Sequence, residues 1–187
     1  MTGPALTFRP LARADFALLA TWLDSPHVAR WWREPADPAA IEATYGPSVD
    51  RTEPGECFVV ERSGRLVGLV QRYRLCDYPD WWRSLEPAGP AADAAGIDYL
   101  IGPVELTGAG LGPQIIDRWV DVLWARYPEA SAVVASVARD NRRSWRALEK
   151  AGFTRRWSGT VVSDDPSDAG PSHVYARPRP AGAGAGA

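Results

Sequence analysis

Apolar and polar positions alternate through Ile97–Gly102, with Ile97, Tyr99 and Ile101 set against Asp98, Leu100 and Gly102, and this predicts a strand. The period then changes. Beyond Thr107-Gly108-Ala109-Gly110-Leu111-Gly112, apolar residues recur at Leu111, Ile115, Trp119 and Leu123, widened by Ile116 and Val120, as in an amphipathic helix. Pro113 is tolerated only near a helix start, so the glycines lie at the helix N-terminus. There the unpaired backbone N–H groups and the dipole favour an anion, and glycine lets a ligand approach the backbone. The stretch therefore predicts a phosphate or pyrophosphate grip. A tight turn with close strand–helix packing is the competing reading of the same residues. The turn lacks the Gly-Lys-Ser/Thr of a nucleotide triphosphatase loop. A dinucleotide fingerprint needs an acid at a later strand end, and Glu129 lies in the turn Tyr127-Pro128-Glu129-Ala130 instead.

The same reading extends along the chain. A short strand is expected at Leu6–Leu11, with Pro10 marking an edge. Helices are expected at Arg13–Leu23, at Pro26–Trp32 with Ser25 as cap, and at Pro38–Tyr45 with Asp37 as cap. Phe58–Glu61 and Leu66–Tyr73 flank Arg62-Ser63-Gly64-Arg65, a hairpin pattern. Leu75–Ala95 reads as a long irregular stretch, and its tryptophans favour a functional loop. Ala132–Val137 is continuously apolar, as suits a covered central strand. Asp140-Asn141 open a helix at Arg142–Lys150, which Gly152 closes. Strands at Thr154–Val162 and His173–Ala176 follow. Together these elements form an α/β chain with a mixed sheet and helices on both faces. A single domain is expected over residues 1–180, followed by a disordered Ala/Gly tail at 181–187.

Composition narrows the function. The net charge of −2 gives no reason to expect nucleic acid or an anionic membrane as partner. No stretch approaches a membrane span, and the N-terminus lacks the pattern of a signal peptide. Cys57 and Cys76 are far apart and are expected as buried thiols in a reducing compartment, so a cytoplasmic location is expected. His27 and His173, with no cysteine or acid at ligand spacing, give no metal site. Nine tryptophans are many for 187 residues. Two pairs, Trp31-Trp32 and Trp81-Trp82, cannot both face the core of one regular strand. Some are expected as pocket walls.

Two segments carry a family resemblance. The strand, Thr107-Gly108-Ala109-Gly110-Leu111-Gly112 and the helix resemble the acetyl-coenzyme A loop of the GCN5-related N-acetyltransferase (GNAT) superfamily. Asn141-Arg142-Arg143-Ser144-Trp145-Arg146-Ala147-Leu148-Glu149-Lys150-Ala151-Gly152-Phe153 is similar to its second motif. Trp22-Leu23, Pro26-His27-Val28, Trp31-Trp32, Trp81-Trp82 and Gly96-Ile97-Asp98 resemble the aminoglycoside 6′-N-acetyltransferases. Siderophore acyltransferases share part of the N-terminal pattern. The likeness runs from Leu6 to Tyr175.

The resemblance implies a central six- to seven-stranded mixed sheet and transfer of an acetyl group from acetyl-CoA to a primary amine of an aminoglycoside-like, cationic substrate. Antibiotic resistance would follow from that activity. It implies a coenzyme site at Leu106, Thr107, Gly108, Ala109, Gly110, Leu111, Gly112 and Asn141. An N–H near Leu106, on the central strand, is expected to take the charge of the carbonyl oxygen. Asp98 is the expected base for the amine and Asp80 the second choice, both at matching acidic positions of the aminoglycoside enzymes. Against these stand a surface strand residue and a solvated loop acid. Trp31, Trp32, Trp81, Trp82 and His173 are the expected substrate contacts. Two departures are visible. Thr107 replaces the usual Arg or Gln. Leu148 occupies the place often held by a tyrosine that protonates the leaving thiolate, so that proton must come from elsewhere. Acylation of a siderophore precursor or polyamine, and a non-catalytic acyl-CoA-binding protein, are the alternative readings. A monomer or homodimer is compatible with either.

Overall fold

The computed structural model describes residues 5–180. The Ala/Gly tail at 181–187 lies outside the described residues. Seven strands form one sheet in the order β1-β2-β3-β4-β5-β7-β6. They are β1 (Leu6–Pro10), β2 (Glu56–Arg62), β3 (Arg65–Arg74), β4 (Ala95–Ile101), β5 (Ala132–Ala138), β6 (Thr154–Val161) and β7 (Gly170–Pro178). The helices are α1 (Phe16–Leu23), α2 (Pro26–Trp32), α3 (Pro38–Asp50), α4 (Pro79–Ser84), α5 (Leu111–Arg126) and α6 (Arg142–Lys150). No helix among the described residues is long and apolar enough to cross a membrane.

Local chemistry accounts for most of these elements. In the β2–β3 hairpin, Ser63 and Gly64 both take positive φ, 52° and 76°, as the twist of a two-residue turn requires. Pro10 sits on edge strand β1, where a missing N–H costs no ladder bond. Asp37 caps α3, its carboxylate accepting from the N–H groups of Ala39 and Ala40. Gly152 follows α6 at φ 82°. Three of the expected elements or caps change. Helix α3 runs past Tyr45 to Asp50 and contains Pro47. Ser25 precedes α2, but its hydroxyl donates back to Thr21 O at 2.7 Å instead of capping. Leu75–Ala95 is not irregular throughout. It folds into α4 and two single 3₁₀ turns, each helical piece too short for a period to register.

Both faces of the sheet are covered. One core cluster packs α5 and α6 on one face through Ile115, Trp119, Leu123 and Leu148. On the other face, α1–α3 cover one half through Leu19, Leu23, Ile41 and Leu100. A third cluster covers the other half beneath α4, with Leu75, Leu85, Val134 and Val174. A seam is left between these last two groups. Residues of β4 alternate across the sheet, so Asp98 shares the seam face with Leu100, while Ile97, Tyr99 and Ile101 face α5 and α6. Cys57 is buried, but Cys76 is exposed, contrary to expectation.

The break that matters lies between β4 and β5. They pair in parallel only at Ala95↔Val133 and Gly96↔Val134. Strand β3 pairs with β4 along its whole length. Gly102 N donates to Val67 O and Leu75 N to Ala94 O, which fixes the bonding phase. Even-numbered residues of β4 therefore bond to β3, and odd-numbered ones point their peptide groups toward β5. Past Gly96 that side of β4 faces a gap.

Candidate active site

The glycine turn stands at the end of this gap. Gly108 and Gly110 take φ 77° and 79°, with open space where a Cβ would be. Gly110 is the N-cap of α5, so the orphan N–H groups of the helix's first turn face outward. Gly112 differs: it is buried, and a Cβ there would come into ordinary contact with the Ala147 methyl at 3.4 Å, which places it in the α5–α6 interface. The turn thus combines both sequence readings, close packing at one glycine and an anion-competent N-terminus at the other two. Leu106 is not on the strand. It ends a 3₁₀ turn, Val104–Leu106, and its N–H is already donated to Pro103 O at 3.1 Å. Thr107 N likewise bonds Val104 O at 3.0 Å. The Leu106 N–H is therefore already engaged, and on β4 the N–H groups that face the gap past Gly96 are those of odd residues such as Tyr99.

The α6 side adds a cation that the motif alone did not reveal. Arg143 Nη1 reaches Thr107 Oγ1 at 3.4 Å, placing a guanidinium beside the turn where the usual Arg or Gln is missing. Asn141 caps α6, its side-chain oxygen accepting from Ser144 N at 3.2 Å.

At the seam on the opposite face, three carboxyl groups gather around Asp98. Burial pushes Asp98 up to about 6, with the nearby Asp165 adding to the rise and a hydrogen bond from Tyr73 opposing it. Burial raises Glu34 to about 7, again with Asp165 and Asp98 contributing. Asp168 rises to about 8 through burial and then through Asp98, Asp165 and Glu34. Among the described residues none of these four acids forms an ion pair. By contrast Asp15, Glu56 and Asp77 are matched with Arg9, Arg72 and Arg74. Carboxyl groups crowded together without a counter-ion resist ionisation, and a nearby cation would lower their pKa values again.

Each acid is placed by a specific local structure. Gly96 lies opposite Tyr73, and a Cβ at Gly96 would collide with the tyrosine ring. The bare glycine thus lets the ring lie across the strand with its hydroxyl toward Asp98. Trp81 Nε1 donates to that hydroxyl at 3.1 Å. Arg33 ends α2 in the left-handed region at φ 54°, and the chain turns there into Glu34. Tyr45 Oη donates to Glu34 at 2.7 Å and accepts from Trp32 Nε1 at 3.0 Å. Asp165 and Asp168 lie on the β6–β7 loop, which Arg33 ties to the end of α2 by donating to Pro166 O at 2.9 Å.

The structure separates the residues expected here from sequence. Asp98, Trp32 and Trp81 are brought to the acid cluster, the two indoles through tyrosine hydroxyls. Trp82 donates to Pro90 O at 3.1 Å and packs in the α4 core. Trp31 lies under the Arg30 guanidinium, 4.6 Å from ring centroid to Arg30 Cζ. Asp80 is 95% exposed on α4 and paired with Arg83, so it does not join the cluster. His173 is buried on the α6 face of β7, away from Asp98, with Nδ1 2.8 Å from Ser158 Oγ. Burial lowers its pKa. Glu34, Asp165, Asp168 and Arg143 were missed; only the Asp-Asp-Pro-Ser-Asp run between the last strands pointed to any of them. A separate cleft of about 760 Å³ lies beyond Gly102, lined by Trp22, His27, Leu66 and Val104 among others, and holds none of the four acids.

Strand β4 splayed from β5, an anion-competent turn leading into α5 and an acidic seam define an acyl-CoA-dependent acyltransferase. Residues 12–160 match the model of the acetyltransferase (GNAT) domain, and the chain belongs to the GNAT acetyltransferase family. It is 31% identical over 168 residues to aminoglycoside N(6′)-acetyltransferase type 1 of Klebsiella pneumoniae, covering 88% of this chain and 80% of that one. It is similar, at a TM-score of 0.79 and 28% identity, to the structure of AAC(6′)-Ib with coenzyme A and kanamycin, covering 94% of this chain and 95% of the other. The structure of AAC(6′)-Ib with paromomycin and acetyl-CoA matches with the same score and identity, covering 94% of each chain.

Proposed function

We propose that this protein transfers the acetyl group of acetyl-CoA, as co-substrate, to the 6′-amino group of an aminoglycoside. The observation that carries the reading is the set of four clustered acids without a cation, Glu34, Asp98, Asp165 and Asp168, beside the opened edge of β4. An aminoglycoside supplies several ammonium groups on a rigid frame, and the acids supply the matching charges. The relatives named above act on such substrates, which supports the same assignment here. Resistance of the host to aminoglycosides follows from this activity.

In this reading Gly108, Gly110 and the first turn of α5 hold the coenzyme diphosphate, with Arg143 alongside. The residues fit that group, because the two glycines leave open space and the N–H groups face outward. Asp98 takes a proton from the ammonium to leave a nucleophilic amine. Its pKa near 6 suits that role, since the carboxylate predominates at neutral pH while remaining close enough to accept a proton. Tyr73 and Trp81 orient the carboxylate. A β4 N–H facing the gap, that of Tyr99, takes the developing oxyanion. Glu34, Asp165 and Asp168 hold the remote ammonium groups. Asp80, exposed on α4, is left as a rim charge, and residues 1–180 act as one domain.

A thiol-release assay with acetyl-CoA and a panel of kanamycin-class aminoglycosides, spermidine, lysine and hydroxylamine-type siderophore precursors tests this. Turnover confined to the aminoglycosides is expected. Preference for a polyamine or siderophore precursor would reassign the acceptor, and coenzyme binding without turnover of any amine would remove the enzymatic reading.

A further inference from the structure

Breaking a thioester leaves a thiolate that must be protonated, and Leu148 cannot do it. Strand β4 and helix α6 carry only two side-chain hydroxyls, Tyr99 and Ser144. The fold brings them together: Tyr99 Oη lies 2.7 Å from Ser144 Oγ and 3.2 Å from Ser144 O. The meeting place is informative. Tyr99 is three residues beyond the last β4–β5 pair at Gly96, so its peptide groups face the gap while its side chain crosses to α6. Ser144 stands in the first turn of α6, directly after Arg143, whose guanidinium contacts Thr107. The same helical turn therefore ties the hydroxyl pair to the glycine turn. Leu148 lies one turn further along α6, fully buried. Helical side chains lean toward the N-terminus, so a hydroxyl carried from position 148 would reach the level of residue 144, where the Tyr99 hydroxyl now lies.

We infer that Tyr99, held by Ser144, is the proton donor to the departing thiolate; this rests on the acetyl-transfer reading above. The amine nitrogen forms the C–N bond, the C–S bond breaks, and its electron pair goes to sulfur. Sulfur takes the proton of Tyr99 Oη. The phenolate, stabilised by Ser144 Oγ–H and the α6 N-terminus, regains a proton from solvent. The surplus proton on nitrogen passes to Asp98 and on to solvent, so an ammonium and a thioester give an amide, a thiol and one free proton. Burial raises the Tyr99 pKa above its ordinary value, so the group is protonated throughout the working range and acts as a donor, not a base. Ser144 is a positioning residue.

The test uses the full chain with Tyr99→Phe and Ser144→Ala. Rates are measured with acetyl-CoA and, separately, with p-nitrothiophenyl acetate, whose leaving thiol is acidic enough to depart without a proton. Coenzyme A affinity is followed by calorimetry. With acetyl-CoA we expect kcat to fall roughly 100-fold for Tyr99→Phe and about tenfold for Ser144→Ala, with coenzyme A affinity within about twofold of wild type. With the acidic thioester the losses shrink to about threefold or less. The assignment is overturned if Tyr99→Phe keeps its rate on acetyl-CoA, or if it loses equally on both donors, the mark of a structural role. Should Tyr99→Phe fail to fold, Ser144→Ala carries the same donor comparison. A wild type that acetylates no amine overturns the acetyl-transfer reading itself; an active wild type with an equally active Tyr99→Phe overturns only the donor.

Discussion

Tyr73 and Gly96 stand directly opposite each other on β3 and β4, and the tyrosine ring occupies the place a side chain at Gly96 would need. This contact links the sheet to the chemistry, because the same ring carries the hydroxyl that faces Asp98 and accepts from Trp81. Gly96→Ala must therefore push the ring aside. We expect a stability loss of ~1–3 kcal/mol in urea unfolding and a fall in kcat larger than any change in coenzyme affinity. Unchanged kcat would show that the Tyr73 hydroxyl does not orient the carboxylate.

The remote acids separate binding from chemistry. Glu34→Gln and Asp168→Asn each remove one carboxylate without touching Asp98. Steady-state kinetics with a tetra-amine aminoglycoside should show KM for the aminoglycoside raised about tenfold, with KM for acetyl-CoA unchanged. A monoamine acceptor should be nearly indifferent to either change. Equal effects on both acceptors would mean that the loop acids shape the fold and not the substrate site.

These acids also set a pH dependence of stability. Glu34 titrates near 7 and Asp168 near 8 in the folded protein, both above their unfolded values of 4.5 and 3.8. The folded state therefore binds more protons than the unfolded state across this range, so stability falls as pH rises. The depressed acids Asp15 and Glu56 act only below about pH 4.5, and His173, lowered from 6.5, acts below that value. The clean window is pH 6.5 to 8. Thermal melts should show Tm declining there, less so in Asp168→Asn. Kanamycin should restore more Tm at pH 8 than at pH 6.5. A Tm that climbs through this window contradicts the assignment.

At the coenzyme turn, Gly110 sits at φ 79° with nothing within 4 Å of an added Cβ. Gly110→Asp places bulk and negative charge where the diphosphate is proposed to bind, and coenzyme A affinity should fall at least tenfold by calorimetry. Gly110→Asn, which tolerates the left-handed region, should lose far less. Similar losses in the two variants would point to backbone strain instead of charge.

Much of this arrangement was legible in the residues. The change of period at Thr107–Gly112 located the strand, turn and α5, and Asn141 to Phe153 located α6, because both depend on local spacing. Asp98 was legible from its place on the central strand and from its match to an acidic position of the aminoglycoside enzymes. Glu34, Asp165 and Asp168 were not, because no local pattern tells that the end of α2 meets the β6–β7 loop. That meeting is made by sheet order and by contacts such as Arg33 to Pro166 across 133 positions. His173 was assigned to the site by its strand alone, yet strand parity sends it under α6 beside Trp145. Asp80 was placed by its match to an acidic position of the aminoglycoside enzymes, but in so short a helix it turns to solvent and Arg83.

Asp98 as the base beside a bound thioester is the central claim, and one comparison tests it most directly. Thiol release from acetyl-CoA with kanamycin is followed from pH 5 to 9 for wild type and Asp98→Asn, with coenzyme A binding measured in parallel. Wild-type kcat/KM should rise through a pKa near 6, the value burial gives Asp98. The variant should bind coenzyme A normally and lose kcat by about 100-fold, with that inflection gone. A variant that turns over at the wild-type rate and keeps the inflection would contradict the claim.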